Sequence, residues 1–449
     1  MARVSLISCN TTLDPYPVYP LGMSMVAEAA RIRGHAICEF DIYAQGSDES
    51  AIRKFIQTTQ PEYVGLSLRN VDSANYNKPD AYIEDYKKVV RVIRETSSAP
   101  IILGGSAFTI FPDLILEELE ADYGVAGEGE GAFCHLLDQL EMDSGNAYRI
   151  YYNYPPLSGN EFSALNRNDV LAQFYLKMGG MLSVQTKRGC PHRCAYCSYP
   201  VLEGRNYRFR PPADVVDEIE MLIRKYHADY YAITDSVFND AAGNYLKVAE
   251  ELVRRGINVP WLCFLRPDDF TPEEVALLKK SGLNAIEWGT DCATDITLEA
   301  MRKDFSWEQV VHSNNLFAAA GISNAHFLIF GGPKETYATL DAGLKQLQQL
   351  EKCVIFAGIG VRIFPDTAVH QWALEEGKIT AVQNLLPPTY YFSDAIDPKI
   401  IHEKILAAFQ GRLDRIYPDG QYVEAARAFH LSGNRGPAWD LLLKRKITR

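Results

Sequence analysis

Short apolar runs alternate with amphipathic stretches over residues 1–140. The stretches between the runs carry apolar residues at helical spacing, and the runs themselves are short enough to be buried strands. Five strands separated by helices predict a doubly wound parallel α/β sheet, Rossmann-like in its organisation. The predicted strands are Val4–Cys9, Ala36–Asp41, Tyr63–Leu68, Pro100–Leu103 and Asp122–Val125.

A second alternation of strands and helices covers residues 181–367. Six βα units predict a partial TIM-like barrel, since a closed barrel of this kind has eight. Residues 141–180 lack clear periodicity and predict a linker or an irregular arm, and residues 368–449 carry helical patterns that predict a C-terminal helical cap. The six predicted strands are Leu182–Thr186, Tyr230–Thr234, Trp261–Leu265, Ala285–Trp288, Ala325–Phe330 and Phe356–Ile363.

Composition narrows the class of protein. A chain of 449 residues with 47% hydrophobic and 23% charged residues is globular, which excludes collagen-like, coiled-coil and disordered classes. A net charge of −12 argues against binding nucleic acid through bulk positive charge. No apolar run approaches the roughly 18 residues of a membrane span, and the N-terminus lacks a cleavage pattern. We therefore expect a cytoplasmic protein.

Three of the nine cysteines are clustered, as Cys190, Cys194 and Cys197 in the spacing C-x3-C-x2-C. Three thiolates in a loop after a strand suit three irons of a cubic [4Fe–4S] cluster, which leaves the fourth iron open. A structural zinc site normally has a fourth ligand at comparable spacing. His192 lies inside the loop but a second Cys/His pair is missing, so zinc remains the alternative. The odd number of cysteines fits reduced thiols.

The segment Thr186–Pro200 resembles the signature of the radical S-adenosylmethionine (SAM) enzymes, in which this cysteine loop follows the first strand of a partial barrel. The resemblance implies that the three cysteines ligate the cluster and that the open iron chelates SAM. One-electron cleavage of SAM then yields a 5′-deoxyadenosyl radical. Tyr196 would lie against the adenine, with core packing as the alternative. The other implied SAM contacts, each of which also fits a structural role, are Asp235, Arg266, Glu287, Thr290, Gly331 and Arg362.

The segments Ile102–Thr109 and Ala121–Glu130 resemble the cobalamin-binding domain of B12-dependent radical SAM enzymes. Glycines at strand ends let a large planar ligand approach the backbone. A generic nucleotide-binding domain is the alternative. The implied cobalamin contacts are Thr11, Ser67, Leu68, Arg69, Gly104, Gly105, Ser106, Gly127, Glu128 and Gly129.

One departure from many cobalamin proteins concerns the lower face of cobalt. The Asp-x-His-x-x-Gly motif is missing, and Asn10–Pro17 holds no histidine in its place. We expect base-off cobalamin with no protein nitrogen bound to cobalt, and Arg69 is the candidate for the lower face.

The resemblance covers about residues 3–390 and is closest to the methylases, anaerobic cyclases and lipid-biosynthesis enzymes. It implies a methyltransferase in which SAM both methylates cobalamin and supplies the radical that activates an unactivated carbon. A cyclase or rearrangement enzyme is the first alternative, and a non-catalytic sensor is the second. RNA modification is disfavoured by the acidic charge balance.

The substrate is predicted to be a small molecule or lipid-like, and an external one-electron donor of the flavodoxin or ferredoxin type is implied. The aromatic pair Tyr390 and Tyr391 is a candidate for the substrate pocket, with packing of the cap as the alternative.

Overall fold

The computed structural model describes residues 1–13, 16–142, 147–152, 154–162, 166–418 and 423–444. Positions 14 and 15, in the Asn10–Pro17 segment considered for the lower face of cobalt, lie outside these ranges. None of the helices within them is long and apolar enough to cross a membrane.

The N-terminal part is built on a six-stranded parallel sheet with the order β2-β1-β3-β4-β5-β6. Five of the six residues of β1 are buried, as expected for a strand covered by helices on both faces. The strand order reverses between β1 and β3, and ligands of doubly wound sheets bind at such a point. The strands are β1 Arg3–Ser8, β2 Ala36–Asp41, β3 Tyr63–Ser67, β4 Ile101–Gly104, β5 Tyr123–Val125 and β6 Ile150–Tyr151. The helices are α1 Leu21–Ile32, α2 Ile42–Gln45, α3 Glu49–Thr59, α4 Ile83–Thr96, α5 Ser106–Ile110, α6 Pro112–Glu118 and α7 Gly129–Glu141.

A second parallel sheet of seven strands has the order β17-β14-β13-β12-β11-β10-β7. Two antiparallel ribbons, β8 with β9 and β15 with β16, lie beside it. Its strands and those of the ribbons are β7 Leu182–Val184, β8 Lys187–Arg188, β9 Arg208–Phe209, β10 Tyr231–Ile233, β11 Trp261–Leu265, β12 Leu283–Asp291, β13 Ser323–Phe330, β14 Cys353–Ile359, β15 Val361–Arg362, β16 Tyr390–Tyr391 and β17 Arg415–Ile416.

Helices follow the strands of this second sheet. They are α8 Asp169–Gly179, α9 Tyr199–Glu203, α10 Pro212–Tyr226, α11 Asn244–Arg254, α12 Pro272–Lys280, α13 Asp295–Ala300, α14 Trp307–Ala319, α15 Tyr337–Gln346, a short 3₁₀ helix Leu347–Gln349, α16 Ala368–Glu375, α17 Pro398–Phe409, α18 Val423–Leu431 and α19 Asp440–Lys444. The predicted fold class, a doubly wound sheet followed by a partial barrel of six βα units, is confirmed.

Local sequence explains where several of these helices begin. At the start of α12, the Thr271 hydroxyl accepts from the Glu274 backbone N–H at 3.2 Å, and the Glu274 carboxylate accepts from the Thr271 N–H at 2.8 Å. Ser306 and Gln309 form the same capping box at α14. Each box satisfies two backbone donors that the first helical turn leaves without partners.

The sequence pattern misses the shortest elements. The strands β6, β16 and β17 have two residues each, which is too few for a period of two to be visible. β6 joins the N-terminal sheet and β17 joins the barrel sheet. Helix α8 lies in the segment without clear periodicity, although its cap, Asn168, accepts from two backbone N–H groups. The sixth predicted barrel strand is split, because Gly360 with a φ of +74° separates β14 from β15.

Two buried ion clusters join the N-terminal domain to the barrel. Arg188 donates to Glu130 at 2.5 Å and lies 3.2 Å from Glu128. Arg362 donates to Asp72 at 2.8 Å, and both side chains are almost fully buried. These contacts hold the carboxyl ends of the N-terminal sheet against the barrel.

Candidate active site

A cavity of about 590 Å³ lies between the N-terminal sheet and the barrel and is lined by both. The sheet contributes residues at and beyond the carboxyl ends of β1, β3, β4 and β5, and the barrel contributes Ser183, Thr234, Phe264 and Phe327. A ligand held by the sheet would therefore face the barrel interior directly.

Most of the residues predicted to contact cobalamin line this cavity, and two do not. The side chain of Leu68 is fully buried in the core, and its backbone N–H donates to Gly104 at 2.8 Å. Thr11 is also absent from the cavity wall. The predicted residues that line the cavity are Ser67, Arg69, Gly104, Gly105, Ser106, Gly127, Glu128 and Gly129.

Two glycines at this edge serve different purposes. At Gly105, with a φ of +95°, an added Cβ would lie 2.5 Å from the Leu68 carbonyl oxygen, so the backbone itself requires glycine. At Gly127, with a φ of +100°, an added Cβ would meet no atom within 4 Å. The space beside Gly127 is part of the cavity edge, where a ligand can approach the backbone.

Glu128 and Arg69, the two charged residues predicted to contact cobalamin, have different surroundings. Glu128 forms an ion pair with Arg208, lies 3.2 Å from Arg188, and accepts from the Leu157 N–H at 3.2 Å. It therefore joins the two domains, a role that the sequence could not reveal because both arginines belong to the barrel. Arg69 is an exposed residue on the cavity wall, and its carbonyl oxygen accepts from the Ser106 hydroxyl at 2.6 Å.

The loop that carries the three cysteines follows β8 and is fixed by backbone contacts. At Gly189, an added Cβ would lie 2.1 Å from the Asn206 carbonyl oxygen, so only glycine fits. The Cys190 N–H donates to the Gly204 carbonyl at 3.0 Å, and the Ala195 N–H donates to the Met301 carbonyl at 2.9 Å.

The three thiols are close enough to influence one another. Burial raises the pKa of Cys190, and burial raises the pKa of Cys197 to about 12, with the negative charge of Cys194 adding to both effects. Bound iron would favour the thiolates instead, as expected for metal ligands. In the described part of the chain, no three His, Cys, Asp or Glu side chains are arranged around one metal ion. The donor set and its spacing fit a cluster.

A second cavity, of about 600 Å³, lies beside the cysteine loop. Cys194 and Cys197 line it together with the exposed arginines Arg193, Arg205 and Arg302. These three arginines outnumber the acidic residue of the same wall, Asp366, so the charge beside the cysteines is net positive, which suits an anionic cluster.

Tyr196 is bound into a buried network next to the cysteines. Its hydroxyl donates to Asp291 at 2.6 Å, and Lys303 forms an ion pair with the same carboxylate. Asp291 raises the pKa of Lys303 against the opposing effect of burial, so the ammonium stays charged. Sequence reasoning missed Lys303. The one signal available in the sequence was a carboxylate, Asp291, at the end of β12.

Asp235 and Arg266 support the cysteine loop. Asp235 accepts from the Thr186 N–H at 2.7 Å and from the Thr186 hydroxyl at 2.5 Å, just before the loop begins. Arg266 forms an ion pair with Asp304, which also lies 3.4 Å from Nδ1 of His192. Burial lowers the pKa of His192.

Three other predicted SAM contacts have protein partners. The Thr290 hydroxyl is buried and hydrogen-bonded to His326 at 2.8 Å, and Arg362 is paired with Asp72. Gly331 has a φ of +88°, and its N–H donates to Glu335 at 3.3 Å. A role for these residues toward SAM stays a prediction.

The two tyrosines predicted for the substrate pocket line neither of these cavities. Tyr391 donates to Glu376 at 3.0 Å, and the Tyr390 ring packs edge-on against Tyr76 with 5.4 Å between centroids. The two tyrosines therefore lie where the C-terminal segment contacts the loop after β3.

Glu287 reaches the first cavity from the barrel strand β12. Oε1 accepts from the Trp439 indole N–H at 2.9 Å and from the Tyr16 hydroxyl at 3.3 Å. Burial raises the pKa of the Glu287 carboxyl to about 7. Tyr16 and Trp439 come from opposite ends of the chain, so their contact with this strand could not be predicted from sequence spacing.

Comparison with known proteins agrees with this arrangement. Residues 9–137 match the family model of the B12 binding domain, and residues 184–347 match that of the Radical SAM superfamily. The chain is 23% identical to the tryptophan 2-C-methyltransferase of Streptomyces laurentii, over 81% of this chain and 73% of that protein. It is 24% identical to the anaerobic magnesium-protoporphyrin IX monomethyl ester cyclase of Rubrivivax gelatinosus, over 68% of this chain and 57% of that protein.

The fold is shared with a solved structure over nearly the whole chain. The radical SAM methyltransferase TsrM from Kitasatospora setae, solved with cobalamin and a [4Fe–4S] cluster, superposes with a TM-score of 0.85 at 20% identity, covering 99% of this chain and 98% of that one. With one domain of each family on the two sides of a joint cavity, the chain is a cobalamin-dependent radical SAM enzyme.

Proposed function

We propose that the protein is a cobalamin-dependent radical SAM methyltransferase that methylates an unactivated carbon of a small-molecule or lipid-like substrate. The observation that carries this proposal is the single cavity shared by the B12 binding domain and the barrel. A methyl group carried by one domain can reach a substrate held by the other within this shared space.

Residues of the first cavity fit the cobalamin that the proposal requires. Ser67, Ser106 and the glycines at the ends of β4 and β5 form a polar edge with open space beside Gly127. Arg69 on the cavity wall would help to hold cobalamin, and its guanidinium has no lone pair to offer cobalt. When bound, cobalamin supplies a methyl carrier, and the cluster with SAM supplies a carbon-centred radical.

The cysteine loop fits the [4Fe–4S] cluster, which Cys190, Cys194 and Cys197 would hold. Lys303 keeps a positive charge beside these ligands, and Asp291 fixes both Lys303 and the Tyr196 hydroxyl. Asp235 holds the strand end before the loop, so that the three thiols keep their relative positions. These residues orient the ligands, and none of them has to transfer a proton in this scheme.

The second cavity supports the proposed electron donor. Arg193, Arg205 and Arg302 are exposed around Cys194 and Cys197, and like charges at one rim attract an acidic partner. A flavodoxin or ferredoxin of negative surface charge fits this rim. Salt above about 0.3 M should therefore slow reduction of the cluster by such a protein more than reduction by a small neutral reagent.

Ring closure without methyl transfer is the second candidate, because the chain is also similar to an anaerobic cyclase. The two candidates differ in the products of SAM. Anaerobic reconstitution with iron, sulfide and hydroxocobalamin, followed by SAM and a strong reductant, tests both. About four irons and one cobalt per chain, with S-adenosylhomocysteine and 5′-deoxyadenosine both formed, support the methyltransferase. 5′-Deoxyadenosine alone favours the cyclase, and SAM left intact argues for a sensor.

A further inference from the structure

Glu287 is a buried carboxyl at the barrel end of the joint cavity. It projects from β12 beside Phe264 of β11, and the apolar residues Met181 and Phe327 line the same cavity. Glu287 lines the same cavity as the strand ends of the B12 binding domain, and Tyr16, from the segment after β1, reaches it across the domain boundary.

The protein partners of this carboxyl are neutral. Trp439 donates to Oε1 at 2.9 Å, and the Tyr16 hydroxyl lies 3.3 Å and 3.4 Å from the two oxygens. A carboxylate accepts about four hydrogen bonds, so these donors leave part of its capacity unused. Within the described residues, no positively charged side chain contributes to the pKa shift of the Glu287 carboxyl.

Two other buried carboxylates of the chain are compensated by arginine. Glu218 is fully buried and pairs with Arg210 at 2.7 Å as well as with Arg167. Glu130 is paired with Arg188 at 2.5 Å. Burying a carboxylate without such a partner costs folding free energy, unless the carboxyl is protonated or a bound ligand supplies the positive charge.

From this geometry, we infer that Glu287 binds a protonated amine of an otherwise apolar substrate. The inference rests on the proposed function, because it assigns the barrel end of the cavity to the substrate. The ammonium would donate hydrogen bonds to the carboxylate oxygens at positions that Trp439 and Tyr16 leave free. Met181, Phe264 and Phe327 would contact the apolar part of the substrate. Glu287 would thus act as a specificity-determining residue rather than as a ribose contact of SAM.

The test compares two probes that differ in charge but hardly in shape, 2-phenylethylamine and 2-phenylethanol. Their dissociation constants are measured by calorimetry on the full chain, loaded with cobalamin and the cluster, at pH 8. We expect the amine to bind at least about tenfold more tightly than the alcohol, and E287Q to reduce this preference below about threefold. Equal affinities, a preference that survives in E287Q, or binding of neither probe would overturn the inference.

A matched control is available in Glu335. It is also a buried carboxyl with neutral partners, the Thr339 hydroxyl at 2.9 Å and the Gly331 N–H, but it does not line the cavity. E335Q should keep the full preference for the amine. A loss equal to that in E287Q would mean that any buried carboxyl has this effect, which contradicts a site at Glu287.

The wild-type protein gives a second test that needs no variant to fold. Since the pKa of Glu287 is raised to about 7, the carboxylate fraction rises about tenfold from pH 6 to pH 8, and the affinity for the amine should rise with it. Tyr230 and Cys263 face the same carboxyl, but burial raises the pKa of both further upward, so they stay neutral over this range. The affinity for the alcohol should not change. An affinity for the amine that is flat in pH overturns the inference.

These outcomes are separable from the proposed function. Probe binding requires no methyl transfer, and cobalt content and SAM products are measured on the same preparation. Normal cobalamin content and SAM turnover without a preference for the amine would refute only the assignment of Glu287.

Discussion

Replacing Gly127 with alanine adds one methyl group at the edge of the joint cavity. Gly127 lines the cavity between the B12 binding domain and the barrel, and the position of the new Cβ is free of protein atoms within 4 Å. The methyl therefore occupies space that we assign to cobalamin. The prediction is a large loss of cobalamin affinity with a small loss of stability.

The two effects have separate magnitudes. A φ of +100° is unfavourable for alanine, which costs about 1–2 kcal/mol of folding free energy, and no steric clash adds to it. Overpacking a closely fitted site by one methyl costs about 1–3 kcal/mol. The dissociation constant for cobalamin should then rise by about 5- to 150-fold. Gly105→Ala should instead disrupt the fold, since its Cβ would lie 2.5 Å from the Leu68 oxygen.

The assay is equilibrium binding of hydroxocobalamin to the purified full chain, followed by its absorbance, beside thermal unfolding of the same samples. Gly256→Ala is the matched control, because Gly256 has a φ of +71° with no atom near its Cβ and lies on the surface after α11. It should lose similar stability and keep its cobalamin affinity. Unchanged affinity in Gly127→Ala, or an equal loss in the control, would refute the placement of cobalamin.

Three further variants test the cluster and the domain contacts. Cys194→Ala should lose most of its iron while cobalamin content and the circular dichroism spectrum are unchanged, and retention of the full iron content would contradict its role as a ligand. Arg188→Met leaves Glu130 buried without its hydrogen-bonded arginine, so denaturant unfolding should show a loss of about 3–5 kcal/mol, and a loss below about 1 kcal/mol would contradict a buried pair. Arg362→Gln leaves Asp72 buried without its arginine partner, so the loop after β3 should exchange its amide hydrogens faster. Unchanged protection of this loop would refute the contact between Arg362 and Asp72.

Features that depend on local sequence could be predicted. All strands of the two sheets except the two-residue β6 and β17 are visible, because buried parallel strands are continuous apolar runs. The chemistry of the three cysteines follows from their spacing. The strand-end positions of Ser67, Gly104 and Gly127 follow from the rule that ligands of such sheets bind at the carboxyl ends of strands.

Features that depend on contacts between distant segments could not be predicted. Leu68 follows a strand end, but its side chain turns into the core. Glu128 and Arg362 are at sequence positions that suit ligand binding, yet each is paired across the domain boundary. Glu287 is understood only once Tyr16 and Trp439, 271 and 152 residues away in sequence, are seen to meet it.

The most direct test of the account uses SAM with a deuterated methyl group. The reconstituted protein, loaded with cobalamin, is incubated anaerobically with this SAM and a low-potential reductant, and the cobalamin is then extracted for mass spectrometry. If the protein is a cobalamin-dependent methyltransferase, the bound cobalamin carries the deuterated methyl group and S-adenosylhomocysteine forms alongside it. Cobalamin that stays unmethylated while 5′-deoxyadenosine accumulates would contradict a methyltransferase.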